Sequence, residues 1–296
     1  MAPSEEVVIS DAISTDDEDP NASKPWHSVC VAAPVSGQVG DNLVTLKDYS
    51  SLTPRLYITD SLINFGLRLS VYKYNTPLVL VLSTDFSVRL MTWSQSDPDK
   101  HGLLNWATQA GLWTGSGARY VLLPVVWSSH YYLFVGVLDF ASPTVYILES
   151  IGTDHFARAP PVIQQFINFL EFLQVREQVS KQKFMVEIPP VPRQSDYSNN
   201  CGVFLLHFAE LIIENPTDFE LKVSSGNLES WFDADILLTR RQELVELIKD
   251  MAIHQHGPGG ELEKSVCVIP LPSPDVVRKM VSIISLLEKN RQTSSA

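Results

Sequence analysis

The chain has 296 residues, of which 34 are acidic and 22 basic, and its net charge of −12 argues against a general nucleic-acid-binding protein. Three cysteines, Cys30, Cys201 and Cys267, are too few for a disulfide framework or a cysteine-rich zinc site, and we expect neither a metal nor a cofactor. The N-terminus lacks the basic and apolar regions of a secretory signal and no apolar run is long enough to span a membrane, which predicts a soluble protein in a reducing intracellular compartment, nuclear or cytoplasmic.

Residues 1–40 are predicted to form a disordered acidic tail. Seven acidic residues and no Lys or Arg lie within the first twenty positions, a composition that cannot bury enough apolar surface to fold. Within this tail Val7, Val8 and Ile9 stand close to an acidic cluster, so the segment could add as a strand to the edge of a partner's sheet.

Residues 41–254 are predicted to form one mixed α+β domain with a central sheet flanked by helices. Apolar spacing predicts helices at 61–69, 102–110, 160–175 and 239–253, three strands within 119–150, and a further strand at 183–188. A Gly-rich breaker cluster at 256–260 marks the end of this domain, and residues 255–296 are predicted to form a linker and a helix.

The last two of the three strands are predicted to form a hairpin. Alternating apolar residues cover 130–139 and 144–150, and a turn that contains Pro143 joins them. In an antiparallel hairpin the first residue of one strand lies near the last residue of its partner. We therefore expect His130 and Glu149 to meet at the open end of the hairpin.

Cys201 opens an apolar run, 201–212, that has the spacing of a buried helix. A thiol in this position lies at the first turn of the helix, where unpaired backbone N–H groups and the positive end of the dipole favour a thiolate. A nucleophilic thiolate needs a general base, and the base needs a partner that holds its tautomer. Cys201 is therefore a candidate nucleophile, with His130 and Glu149 as the candidate base and orienting acid.

These residues and their order resemble a known family. His130 at a strand start, Glu149 closing the next strand and Gln194 upstream of Cys201 are similar to the ubiquitin-like-protein proteases, the sentrin/SUMO-specific cysteine proteases. The likeness extends to segments 57–65, 120–126 and 232–241, so that it covers about residues 50–254. It implies an α+β fold with a papain-like cysteine protease core of the SUMO-protease/adenain type.

The resemblance also implies the role of each candidate residue. Cys201 would attack the carbonyl of the glycine that ends a modifier, and His130 would take the thiol proton and later protonate the leaving amine. Glu149 would orient and stabilise the imidazolium. The side-chain amide of Gln194 and the backbone N–H of Cys201 would form the oxyanion hole, where each donor contributes about 3 to 4 kcal/mol.

Contacts with the substrate are implied at three positions: Tyr57, Asp60 and Tyr131. The two tyrosines would form the flat walls of a channel for a Gly-Gly tail. The segment Val7, Val8 and Ile9 resembles a SUMO-interacting motif. The expected partners are SUMO or another ubiquitin-like modifier and its conjugates, with no nucleic acid and no membrane.

Several features depart from the SUMO proteases. Glu149 stands where most members have Asp, and Gln194 precedes Cys201 by seven positions where they usually have six; both features resemble the adenovirus-type proteases. Asn200 stands where the SUMO proteases have Asp. The tryptophans that flank the modifier's tail are replaced by tyrosines, Tyr57 and Tyr131.

Four functions are consistent with this pattern. The first is a protease that cleaves after the Gly-Gly of SUMO or a related modifier, in deconjugation or in precursor processing. The second is an adenain-like or mobile-element-derived protease with another substrate. The third is an acyltransferase, because remote relatives with a His-Glu-Cys triad transfer an acetyl group. The fourth is a catalytically impaired module that binds a modifier without cleaving it.

Overall fold

A five-stranded mixed sheet organises the domain. The computed structural model describes residues 29–32, 43–74, 76–92, 118–127, 129–138, 142–152, 160–176, 183–194 and 199–256. The sheet has the order β3-β4-β5-β6-β7, in which β4, β5 and β6 are antiparallel neighbours and the two outer pairs are parallel. Its strands are β3 (Val79–Val81), β4 (Tyr120–Trp127), β5 (His130–Val137), β6 (Thr144–Leu148) and β7 (Met185–Glu187).

A separate antiparallel pair and a set of helices complete the described residues. The pair is β1 (Val29–Ala32) and β2 (Leu43–Thr45). The helices are α1 (Leu46–Ser50), α2 (Asp60–Tyr74), α3 (Thr84–Thr92), α4 (Pro160–Arg176), α5 (Cys201–Glu214), α6 (Pro216–Ser224) and α7 (Ile236–His256), with a short 3₁₀ turn at Leu228–Ser230. None of the helices within the described ranges is long and apolar enough to cross a membrane.

The central strand β5 is buried along its whole length, because helices cover both faces of the sheet. Its odd-numbered residues, such as Tyr131 and Leu133, belong to the apolar cluster that includes α2 and α5. Its even-numbered residues, Tyr132 and Phe134, belong to the cluster that includes α3 and α4. The predicted α+β class with a mixed sheet between helices is confirmed.

The predicted elements differ from the observed ones mainly at their ends. The helix predicted at 61–69 extends over α2, the helix predicted at 239–253 extends over α7, and the strand predicted at 183–188 is the shorter β7. The predicted hairpin is confirmed, with Leu133 opposite Leu148 and Val137 opposite Thr144. Residues 29–32 fall within the segment predicted as a disordered tail, but they form β1 and pair with β2, so that prediction does not hold for them. The helix predicted at 102–110, residues 1–28 with Val7, Val8 and Ile9, and residues 257–296 lie outside the described residues, so the domain boundaries stay predictions.

Gly202, the second residue of α5, allows a close approach between this helix and the segment that leads into α2. A Cβ at Gly202 would lie 2.5 Å from Cγ1 and 2.7 Å from Cδ1 of Ile58, and 3.1 Å from Cδ1 of Ile63. Both isoleucines are fully buried. The space next to the first turn of α5 therefore excludes even a methyl group unless Ile58 moves.

We expect Gly202→Ala to lower the free energy of unfolding by about 1 to 3 kcal/mol, because the added methyl group overpacks the contact with Ile58. Urea unfolding followed by circular dichroism measures this loss. The double variant Gly202→Ala/Ile58→Val is the matched control, since it removes one of the two clashing carbons. It should lose less stability than the two single changes combined, and fully additive losses would contradict the clash.

Candidate active site

A tight turn between β4 and β5 presents His130. Trp127 pairs with His130 across a two-residue connection, and Ser129 in that connection has φ 61°, in the left-handed region that such hairpin turns require. The imidazole of His130 is buried and packs edge-on against the ring of Tyr132, with ring centroids 4.8 Å apart. The turn and this contact together define the position of the imidazole.

Glu149 follows β6 and reaches back to His130. The pairing of β5 with β6 ends at Leu133 and Leu148, so its register would place Glu149 opposite Tyr132. Residues two positions apart share one face of a strand, which puts Glu149 and His130 on the same side at a diagonal. Glu149 Oε1 lies 2.9 Å from His130 Nε2. The longer side chain of Glu, compared with Asp, suits this diagonal reach.

Backbone N–H groups hold the carboxylate of Glu149. The N–H of Ile151 donates to Oε1 at 2.7 Å, and the N–H of Gly152, which has φ 138°, donates to Oε2. Burial alone would raise the pKa of Glu149, but the contact with His130 and these two N–H groups outweigh it and hold the pKa below its ordinary value of 4.5. Glu149 is therefore an ionised partner for the imidazole.

Cys201 is the second neighbour of His130. It is the first residue of α5, it is buried, and its thiol is close enough to the imidazole to help raise the pKa of His130. The Nε2 contact with Glu149 lacks the straight alignment of an ideal hydrogen bond.

The two neighbours of the imidazole favour its charged form. Burial by itself lowers the pKa of His130, but the hydrogen bond with Cys201 and the contact with Glu149 outweigh burial and raise the pKa to about 9. The arrangement therefore favours a proton on His130 next to the ionised Glu149.

The pH dependence of stability tests this charge distribution. Because the pKa of His130 rises from 6.5 to about 9 on folding, its contribution is fully present below pH 6.5 and is lost as the pH rises through 9. Compared with His130→Gln, the wild-type chain should gain about 3 kcal/mol more unfolding free energy near pH 6 than near pH 9.5. Urea unfolding at both pH values checks this, and an equal difference at both would contradict it. Glu149 is ionised throughout this range, so it does not contribute to the comparison.

Gln194 is joined to the residue that follows Glu149. Its backbone N–H donates to the carbonyl oxygen of Ser150 at 2.9 Å, and its side-chain Oε1 accepts from Ser150 Oγ at 3.3 Å. Ser150 thus holds the oxygen end of the amide of Gln194. Residues 195–198, which carry the predicted seven-position spacing to Cys201, lie outside the described residues.

The three predicted substrate-binding residues have different surroundings. The side chain of Tyr131 is 8% exposed, and its hydroxyl donates to Asp60 Oδ1 at 2.7 Å and lies 3.3 Å from the carbonyl oxygen of Ile58. Burial and Asp60 raise the pKa of Tyr131 far above its ordinary value. Tyr57, by contrast, is 52% exposed. The structure brings Tyr131 and Asp60 together in the interior, while Tyr57 lies at the surface.

Two side chains at this site were not assigned by the sequence analysis. Ser150 orients Gln194, and the only sequence signal for it is that it directly follows Glu149. Arg241 of α7 contacts the two residues that precede Cys201. No local pattern indicates this contact, because two adjacent arginines on a helix are typical of a solvated face.

Comparison with known proteins relates this geometry to a family. Residues 56–230 match the model of the Ulp1 protease family, C-terminal catalytic domain, which is more than half of the chain. Human sentrin-specific protease 7 is 32% identical over 119 residues, which are 38% of this chain and 11% of that protein. Mouse sentrin-specific protease 6 is 36% identical over 87 residues, which are 26% of this chain and 7% of that protein. The chain thus spans about a tenth of the length of the curated relatives it matches.

Solved structures share the fold at low sequence identity. A de-sumoylating protease superposes with a TM-score of 0.57 at 17% identity and covers 75% of this chain and 92% of its own. The C-terminal Ulp1 protease domain, solved in complex with Smt3, the yeast ortholog of SUMO, has a TM-score of 0.52 at 15% identity over 76% of this chain and 91% of its own. The fold implied by the sequence resemblance is confirmed.

Proposed function

The chain belongs to the Ulp1 protease family, and on this premise we propose that it is a cysteine peptidase that cleaves after the C-terminal Gly-Gly of SUMO or a related ubiquitin-like modifier. The observation that carries the proposal is the buried imidazole of His130, which contacts both the Cys201 thiol and the Glu149 carboxylate. A buried thiol next to an imidazole with a raised pKa is arranged for nucleophilic attack. The partners would be the modifier, its precursor and its conjugates.

The first chemical step would form a thioester. His130 takes the thiol proton, and the sulfur of Cys201 bonds to the carbonyl carbon of the last glycine while the carbonyl π electrons move to oxygen. As the tetrahedral intermediate collapses, the C–N bond breaks and His130 gives the proton to the leaving amine. Water activated by His130 then hydrolyses the thioester, which releases the modifier's carboxylate and restores the thiol. Glu149 stabilises the imidazolium during both steps.

The oxyanion of the intermediate would be stabilised by two donors. One is the backbone N–H of Cys201, which as the first residue of α5 has no intrahelical acceptor. The other is the side-chain amide of Gln194, whose oxygen is engaged by Ser150, so that the amide nitrogen is the end that donates to the substrate. Each such donor contributes about 3 to 4 kcal/mol to the transition state.

The segment that leads into α2 would meet the modifier's tail. The exposed ring of Tyr57 is available for this contact. Tyr131 would line the tail's path through the edge of its ring, while its hydroxyl, which also donates to Asp60, holds the backbone of Ile58 and thereby the position of Tyr57. The Val7–Ile9 segment would add a second contact with SUMO through its aliphatic residues and neighbouring acids.

A panel of modifier probes tests the proposal. Each probe is a ubiquitin-like modifier whose Gly-Gly terminus carries a propargylamide that traps an active thiol. We expect a covalent adduct with SUMO or one related modifier in the wild-type chain and none in Cys201→Ala. Matched probes that end in Ala-Ala should fail, because a narrow channel admits only glycine. A folded chain that forms no adduct with any probe would contradict the proposal and favour another substrate or a module that only binds.

A further inference from the structure

Arg241 is a buried cation that contacts only neutral groups. It is only 7% exposed, although the residues around it on α7 are mostly exposed or half-buried. A buried guanidinium costs several kcal/mol unless charges or hydrogen bonds compensate it. Among the described residues no carboxylate lies within ion-pair distance of Arg241, so its charge has no fixed counter-ion.

The acceptors around Arg241 surround the start of the nucleophile helix. Nε and Nη2 donate to Asn200 Oδ1 at 3.2 and 3.0 Å, and Nη2 also donates to the carbonyl oxygen of Asn199 at 2.7 Å. Nη1 donates to the carbonyl oxygens of Ser51 and Thr53 at 3.1 and 3.4 Å. The guanidinium therefore ties the two residues before Cys201 to the segment between α1 and α2.

The acidic group whose charge acts on Arg241 is the thiol of Cys201. Burial lowers the pKa of Arg241, and the charge of Cys201 opposes that effect, which places the two side chains within electrostatic reach. Asn200, the residue before α5, makes no side-chain hydrogen bond to the helix, because Arg241 engages its side-chain oxygen. A thiolate at the first turn of α5 would supply the counter-ion that the buried guanidinium otherwise lacks.

We propose that Arg241 is a positioning residue for the nucleophile, which clamps Asn199 and Asn200 and places an uncompensated positive charge next to Cys201 that favours its thiolate. The inference rests on the proposed function, in which Cys201 is the nucleophile. It adds to the His130 base a second source of thiolate stabilisation, from a helix about forty positions further along the chain.

Other ionisable groups also face this site, so a test of the proposal has to leave them unchanged. They are His130, Tyr131 and Tyr132 of β5, Glu149 after β6, and Asp60 of α2, which accepts from Tyr131. The tyrosines stay neutral because burial raises the pKa of Tyr132 to about 12 and that of Tyr131 further. Changes at Arg241 leave all of these groups in place, so a difference between variants reports on Arg241 itself.

The test is the pH profile of Cys201 alkylation in the full chain. Iodoacetamide reacts with the thiolate, and mass spectrometry of the Cys201 peptide gives its rate without any modifier present. Arg241→Gln should move the midpoint up by about one pH unit, so that alkylation below both midpoints is about tenfold slower. Arg241→Lys keeps the charge and should stay within about twofold of the wild type. Arg240→Gln is the matched control, because Arg240 pairs with Glu210 and Glu243 instead and should leave the profile unchanged.

Two results would overturn the inference. One is a folded Arg241→Gln chain whose profile superimposes on the wild type. The other is an Arg241→Lys profile that moves up by about one pH unit, which would assign the effect to hydrogen bonds alone. If Arg241→Gln does not fold by circular dichroism, the lysine variant decides by the same criterion. Because no modifier is needed, the alkylation profile shows whether Arg241 favours the thiolate even where the probe panel fails, so failure of the inference and failure of the proposed function are distinguishable.

Discussion

Cys201→Ser is expected to lower the cleavage rate about ten-thousandfold or more, while binding of the modifier is retained. The serine hydroxyl has nearly the size of the thiol, so the buried first turn of α5 keeps its packing. An imidazole with a pKa of about 9 can share a proton with a thiol but cannot ionise an alcohol to a useful extent. Loss of a nucleophile in a coupled triad removes nearly all of the catalysis that the triad supplies.

Single-turnover cleavage of a modifier fusion measures this rate, and calorimetry with the uncleaved modifier measures binding. Cys267→Ala is the matched control, since it removes a thiol from the segment after the described residues and should leave the rate unchanged. Turnover in Cys201→Ser close to that of the wild type would exclude Cys201 from the mechanism. Loss of binding in the same variant would show that the change disturbed the surface rather than the chemistry.

Glu149→Gln is expected to lower the cleavage rate by about a hundredfold to a thousandfold. The amide keeps the length of the side chain and can still accept from the N–H of Ile151, but it no longer stabilises a charged imidazole. The pKa of His130 should therefore fall, and the alkaline limb of the pH–rate profile should move to lower pH. Cleavage assays quenched at fixed times between about pH 5 and pH 10 measure both the rate and the shift of the alkaline limb.

Glu149→Asp separates charge from reach. It keeps the carboxylate but shortens the side chain by one methylene. Because residue 149 lies diagonally across from His130, the shorter side chain would not reach Nε2 as closely. We expect a loss of about tenfold, smaller than that of Glu149→Gln, because the charge remains nearby. An unchanged rate in Glu149→Gln would mean that another group orients His130. A larger loss in Glu149→Asp than in Glu149→Gln would mean that the length of this side chain matters more than its charge.

The fold could be predicted where the signal is local. The β5–β6 hairpin has period-two alternation and a turn, and the apolar spacing of α5 is that of a buried helix, so both elements were recognised. The predicted ends of the helices and strands were less accurate than their positions. The helix α2 extends to Tyr74 because Lys73 and Tyr74 contact Glu210 of α5, a contact between distant segments. The short edge strand β7 is exposed, so no apolar pattern marks where it ends.

The residues of the candidate site could be predicted where local sequence patterns place them, but not where contacts between distant segments do. His130 and Glu149 are neighbours through the register of one hairpin, and Cys201 stands out at the start of its helix. The interior position of Tyr131 was not predicted: the resemblance implied a substrate contact for its ring, whereas its hydroxyl is bonded to Asp60. Glu149 and the seven-position spacing before Cys201 resemble the adenovirus-type proteases, and what these two features imply for activity stays a prediction.

The sequence by itself determined the strands and helices near the site, the order of His130, Glu149, Gln194 and Cys201, and the family to which the chain belongs. These follow from apolar periodicity, turn residues and short motifs, which act over a few neighbouring positions. Only the tertiary structure decided that Arg241 of α7 clamps the residues before Cys201 and that Gly202 must leave room for Ile58. Such contacts join segments far apart in the chain, and they arise because close packing and the need to satisfy buried polar groups select them when the whole domain folds.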